Sequence, residues 1–253
     1  MKPAWTLGLS IALVVSVLCL AAGAQRTLPE RGAAFKTTAA GGGGGGGTTN
    51  ITNGLALWWT FDDTLTNFGA SNAFQSTASG TAVQYSTGTI SNAVRAQAGA
   101  TDTKISFPPF TYTNSTGITL AFWLKPDIGS AAYGTIIGFP GSAQGLYWFP
   151  SASSLTWYVS GDHILSAVAT NVWTHWVLDI DTSGVLTAYT NASTVTAGGF
   201  TFPGGGGATW SLDSLLKDFS VDWFQGELDD FRLYLRRLSA DERTNLYNWR
   251  GEP

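Results

Sequence analysis

Two groups of carboxylates stand out in a chain poor in charge: Asp62 and Asp63 near its start, and Glu227, Asp229 and Asp230 near its end. Carboxylates so spaced serve two kinds of chemistry. Glycoside hydrolysis takes a pair flanking the scissile bond, about 5 Å apart when configuration is retained. Glu227 and Asp229 alternate onto one face of a strand and supply two such groups. A hydrolase run of this kind also takes a helping carboxylate. The next position on that face is Phe231, a bulge would present Arg232 instead, and no third acid follows. The other chemistry is cation binding. Hard oxygen ligands suit calcium, and carboxylates from the first and last strands converge if those strands are neighbours. His163 and His175 stand alone, with His175 in Trp-Thr-His-Trp reading as a packed strand residue, and no Gly-x-Ser-x-Gly, phosphate-binding glycine loop or paired-His motif is present.

The acids need elements to hold them. Phe231, Leu233 and Leu235 place apolar side chains at every second residue, which predicts a strand with one face on a core. Ser239 changes the period: its hydroxyl accepts from the Glu242 amide while the Glu242 carboxylate reaches back, a capping box that opens a short helix through Leu246. Leu55, Leu57, Trp59 and Phe61 share one face of an opening strand that runs into Asp62 and Asp63. Ile118, Leu120, Phe122 and Leu124 share one face of a strand that Pro126 stops, with Trp123 opposite. Short strands are predicted over 133–139, 146–149, 155–159 and 164–168, separated by Gly and Ser turns, as in an antiparallel sandwich. Residues 173–181 and 185–191 form a hairpin whose turn uses Asp181 and Gly184. Residues 64–90 read as loops with weak strands, and 200–207 as a loose loop.

Gly226-Glu-Leu-Asp-Asp-Phe-Arg-Leu-Tyr, followed by Arg236, Leu238 and Ser239-Ala-Asp-Glu, resembles the closing motif of laminin-G-like, concanavalin-A-like jelly-roll domains. The opening strand, the strand ending Lys125-Pro126, and Trp173-x-His-Trp-Val with its following hairpin match the same family in chain order. The resemblance covers about residues 55 to 249. It implies an all-β, two-sheet antiparallel jelly-roll sandwich with one short C-terminal helix. It also implies one structural calcium ion on Asp62 and Asp229, with Asp63 and Asp230 as helpers. The chain departs from the family in carrying Asp63 where glycine is common. The Asp229-Asp230 run also resembles the catalytic run of laminarinase-type hydrolases on this fold, but it lies at the end of the chain rather than in a mid-domain cleft strand.

Composition narrows the rest. Charged residues make up 12% of 253, about half the usual share of roughly 25%, and the formal net charge is −4, which argues against a nucleic-acid partner. Residues 1–24 carry Lys2, an apolar run and small residues before Gln25, the order of a signal peptide, with no membrane span expected after its cleavage. The expected organisation is a signal peptide over 1–24, a Gly-rich tether over 25–53 and the β-sandwich over 54–253, secreted or displayed outside the cell. Cys19, the only cysteine, lies in the signal, so the mature chain has no thiol for disulfides, zinc or catalysis. Of the 11 Trp, Trp148, Trp157 and Trp223, together with Tyr158, fall where a ring turned outward could stack on a sugar. Asn50, Asn114 and Asn191 head Asn-x-Ser/Thr triplets. The function expected is non-catalytic binding of glycans or of another extracellular surface, then a structural part of a surface layer, then glycoside hydrolysis.

Overall fold

The computed structural model describes residues 51–71, 76–79, 83–96, 103–127, 133–139, 145–158, 161–201, 209–217 and 224–249. The expected signal peptide, all but the end of the tether, Asn50 and Trp223 lie outside these residues. The strands are β1 (Leu55–Trp59), β2 (Thr77–Ser79), β3 (Gln84–Thr87), β4 (Asn92–Ala96), β5 (Lys104–Thr113), β6 (Ile118–Pro126), β7 (Gly134–Gly138), β8 (Gly145–Phe149), β9 (Ser154–Tyr158), β10 (Asp162–Ala167), β11 (Thr174–Ile180), β12 (Val185–Thr190), β13 (Ser193–Thr201), β14 (Thr209–Leu215) and β15 (Gly226–Tyr234), and one helix follows, α1 (Ala240–Asn248).

Among the described residues they form two sheets. The first runs β13-β12-β11-β6-β15-β4-β3, with β1 also on β15, and the second runs β10-β9-β8-β7-β14-β5-β2. Alternating side chains of both sheets meet in one core: Ile118, Leu120, Phe122 and Leu124 from β6 face Leu146, Trp148, Leu155 and Trp157 from β8 and β9. The sheets are antiparallel throughout the described pairings, as the alternation and short turns require. The Asp181 carboxylate ties the β11–β12 turn by accepting from the Ser183 and Val185 amides at 2.8 and 2.9 Å, and Gly184 takes φ 84°.

A second, smaller cluster lies on the opposite face of the first sheet, where α1 packs. Leu238 and Leu246 cover Ala121, Val177, Tyr189 and Tyr234. The Ser239–Glu242 capping box forms as the sequence predicts. Two boundaries differ from the sequence. Ile51 is buried in this outer cluster, so the folded unit takes in residues assigned to the tether. Leu55 joins the same cluster because a bulge between Leu55 and Leu57 turns it to the other face from Leu57 and Trp59. Phe200 and Thr201, read as loop, end β13.

Candidate functional site

Pairing along β15 explains why the acids gather. One edge of β15 is bonded to β6; the other is shared, by β4 over Gly226–Leu228 and by β1 over Phe231–Tyr234. The end of β1 and the start of β4 therefore meet opposite Asp229 and Asp230, where β15 bulges and Asp230 takes φ 48°. The incoming segments are also bent: Phe61, Asp63 and Ser91 all take left-handed φ values of 55–61°. Four such non-glycine residues at one spot store backbone strain of roughly 1–3 kcal/mol each.

Asp229 is fully buried there, and its Oδ2 accepts from the Thr89 and Ile90 amides at 2.9 and 2.8 Å. Its Oδ1 is buried without a hydrogen-bond partner. Burial pushes the Asp229 carboxyl up to about 8, against the pull of the two amides and with help from Asp230 and Asp62. The loop can lie this close only because residue 88 is glycine, since a Cβ there would stand 2.5 Å from Asp229 Oδ2. Asp62 Oδ1 accepts from the Asn92 amide at 3.0 Å, and the exposed Asp63 is bonded to Asn92 Nδ2 at 2.9 Å. Asp230 is committed elsewhere: its Oδ1 accepts from Trp58 Nε1 at 2.7 Å and from Arg232 Nε at 3.0 Å.

This neighbourhood tests the expected calcium. An orphaned carboxylate oxygen beside a second carboxylate fits a hard cation, with Asp229 and Asp62 as its acidic ligands. Asp230 fits less well, because the oxygen described is held by a guanidinium. Among the described residues no group of three or more acidic, His or Cys side chains is placed to hold a metal, so backbone carbonyls and water would complete the shell.

Glu227, the other half of the hydrolase pair, sits deeper in a salt network. Burial raises its carboxyl, yet hydrogen bonds from Lys125 at 2.8 Å, from Ser86 at 3.0 Å and from Arg95 bring it below the ordinary range. The Glu227 and Asp229 carboxyls are thus shifted in opposite directions. Neither reaches a ligand, however, at 3% and 0% exposure, with their oxygens turned into the protein.

The aromatic candidates divide differently from the sequence expectation. Trp148 and Trp157 are both 0% exposed and belong to the core between the sheets, so neither offers a ring to a sugar. Strand alternation then turns their neighbours outward. Tyr147 lies edge-on to Tyr133 and to Tyr158, with ring centroids 6.2 Å apart in each case, and Tyr133 stacks on Phe149 at 4.4 Å. Tyr133 and Tyr158 are 37% and 39% exposed. Thr135 pairs with Tyr147 across β7 and β8 and so shares its face; its hydroxyl is buried and has no partner. Of the expected ring residues that the structure describes, Tyr158 alone lies on this face; Tyr133, Tyr147 and Phe149 join it, as the inward Leu146 and Trp148 imply for the residues between and after them. Asn114, a glycosylation candidate, is 1% exposed and its Nδ2 donates to the Asp181 carbonyl at 2.6 Å, so it is closed to modification in the folded chain.

Solved structures share this architecture. Domain 4 of AbnA, a GH43 extracellular arabinanase from Geobacillus stearothermophilus in complex with arabinotriose, superposes with a TM-score of 0.62 at 20% identity, over 77% of this chain and 98% of that one. Botulinum neurotoxin type C, whose cell entry depends on interaction with two ganglioside molecules, matches with a TM-score of 0.56 at 16% identity over 79% of this chain and 52% of that one. Trypanosoma rangeli sialidase matches with a TM-score of 0.58 at 12% identity over 77% of this chain and 32% of that one. The chain thus spans about half of the toxin structure and a third of the sialidase, and at these identities the likeness is one of fold. No curated protein sequence matches the chain. The concanavalin A-like lectin/glucanases family model, Laminin_G_3, matches residues 99–242, more than half of the chain and all but the first strands of the sandwich, and this chain belongs to that superfamily.

Proposed function

We propose that this protein is a secreted, non-catalytic binding module that recognises glycans through the outward face of β7–β9. The observation that carries it is the connected run of Tyr158, Tyr147, Tyr133 and Phe149, in which the Tyr133 and Tyr158 rings are exposed. Sugars present CH faces that stack on such exposed rings. The arabinotriose in the arabinanase domain and the gangliosides of the toxin are consistent with this use of the fold. A calcium ion on Asp229 and Asp62 would be structural: it would neutralise the orphaned oxygen and lock the β1 and β4 ends onto the β15 bulge.

A second reading, assembly into a surface layer, draws on Ile164, which is 61% exposed and pairs with Thr156 on the same face. An apolar side chain beside rings also suits protein packing.

Thermal melts of the purified protein with excess calcium, with chelator, and with a panel of soluble polysaccharides test both parts, since a ligand of the folded state raises the midpoint by mass action. Calcium should raise the midpoint in the wild type and not in Asp229→Ala. A polysaccharide should raise it in the wild type and not in Tyr158→Ala. Concentration-dependent self-association without any glycan shift would instead select the assembly role.

A further inference from the structure

We infer that the ring-lined face takes an uncharged oligosaccharide longer than one sugar unit and rejects acidic glycans; this rests on the reading of the face as a glycan site and names its ligand class. The charge on the face decides the class. Asp162 stands directly opposite Tyr158 across β9 and β10, shares its face and is exposed. A carboxylate or sulfate on a sugar stacked against Tyr158 would meet that negative charge at close range.

No strand from β7 to β14 carries a Lys or Arg to offset it, and Lys217 stands just after β14. Recognition of acidic sugars calls for Arg or Lys donors, Arg above all for its forked geometry. From Pro126 through Leu216, the span that includes every strand from β7 to β14, the chain contains no Lys and no Arg, in strands or in loops. The basic residue just before this span, Lys125, belongs to the first sheet and is held by Glu227 at 2.8 Å. What the face offers a sugar carries no positive charge: the exposed Tyr133 and Tyr158 rings with their hydroxyls, and the Asp162 carboxylate as an acceptor for sugar hydroxyls.

Its extent sets the length. The two exposed rings lie on either side of β8, Tyr158 at the end of β9 and Tyr133 just before β7, each edge-on to Tyr147 at 84° and 87°. Their backbones are two strand spacings apart across the sheet, roughly 10 Å, and about four residues, roughly 13 Å, apart along β8. One sugar ring cannot rest against both, so the full contact needs a chain laid diagonally across β8.

The test uses the full protein against paired probes that differ only in charge: lactose and sialyllactose oligosaccharides, and methyl-esterified and de-esterified homogalacturonan, with neutral arabinans, xylans and glucans added, read by calorimetry and affinity electrophoresis. Neutral chains should bind, with little change on raising salt, and the corresponding monosaccharides should fail to compete. Tyr133→Ala and Tyr158→Ala should each weaken binding about tenfold at unchanged folding. Asp162→Lys, a change at an exposed position, should bring acidic probes into range. Binding of acidic probes that falls with salt and is lost in Tyr158→Ala overturns the ligand class while the glycan reading stands. Neutral binding that survives both tyrosine changes overturns the site, and failure to bind any probe overturns both.

Discussion

Arg232 gives the sharpest test of how this fold is held. It is 2% exposed, its Nη2 lies 2.9 Å from Asp230 Oδ1, and its guanidinium lies against both the Trp58 and Trp249 rings, 4.6 and 4.2 Å from their centroids. Burial pushes the Asp230 carboxyl up against the pull of the guanidinium, the mark of a pair whose desolvation is only partly offset. Removing one partner leaves a buried, uncompensated charge, a loss of about 3–5 kcal/mol. Arg232→Met should therefore destabilise by about 5 kcal/mol, because it also removes two desolvated cation–π contacts of up to about 2 kcal/mol each. Asp230→Asn should lose about 3 kcal/mol, since its amide oxygen still accepts from Trp58. In the double variant no charge is buried and a methionine packs against both rings, so the loss should fall to about 1–2 kcal/mol. The cycle should thus give a coupling of several kcal/mol. Urea unfolding of the four proteins in chelator measures it, with equal slopes as the check on the denatured state. For a domain of this size the single changes should lower the midpoint of melting by roughly 6–20 °C. Additive losses, or single losses below about 1 kcal/mol, would refute the view of the pair as a buried, mutually dependent unit.

Other outcomes follow from single contacts. Arg236 donates to both Glu242 oxygens, at 2.8 and 2.5 Å, and with the Ser239 amide holds that carboxyl down to about 2. A depressed carboxyl stabilises fully above its unfolded value near 4.3 and loses that stability as pH falls towards 2. Acid titration of stability should therefore show a loss of order 2 kcal/mol over that window after allowance for the partly exposed Arg236, and Glu242→Gln should flatten it. Gly88→Ala should destabilise by about 1–3 kcal/mol by driving a methyl into Asp229 Oδ2 and the Ala93 amide, measured by urea unfolding, whereas an alanine at Gly161, which meets nothing within 4 Å, should lose much less despite its φ of 147°.

Much of this was legible in the chain because the informative strands are amphipathic. The period of two in β6 and β15, the proline ending β6 and the capping box of α1 each name a local structure with a local cause, and each is found where the residues put it. β5 was not legible. Its Lys-Ile-Ser-Phe-Pro-Pro-Phe-Thr-Tyr-Thr run carries two prolines that read as breakers, and they are tolerated because they fall at the irregularity where β5 pairs with neither β14 nor β2. β13 and β14 are rich in small polar residues and glycine, so their place in a sheet comes from neighbours rather than from pattern. The ring face was missed for a subtler reason. Breadth favours Trp over Tyr as a stacking platform, but in β8 and β9 the broad rings fill the core between the sheets, which leaves the tyrosines outward. The acids were found from a resemblance and from type. Their separation into an orphaned Asp229 and a paired Asp230 needs the bulge, which one residue of positive φ creates and which no alternation shows.

The proposed glycan face and the proposed cation site lie on different sheets, and that separation has a measurable consequence. On the first sheet the outward side is consumed by α1, Ile51 and the Trp58–Arg232–Trp249 stack, and the acidic bulge lies on the same sheet at β15. The rings lie on the second sheet, on β8, β9 and the residue before β7. A cation at Asp229 would act on stability through the β1 and β4 ends, by about 2.7 kcal/mol at a hundredfold excess over its dissociation constant, without touching the strands that carry Tyr133 and Tyr158. Chelation should therefore lower the melting midpoint by several degrees yet leave glycan affinity unchanged at temperatures well below it, measured by calorimetry on the same sample. A loss of glycan binding on chelation, with the protein still folded, would place the cation in the binding site itself and would move the candidate site from the tyrosine face to the β15 bulge.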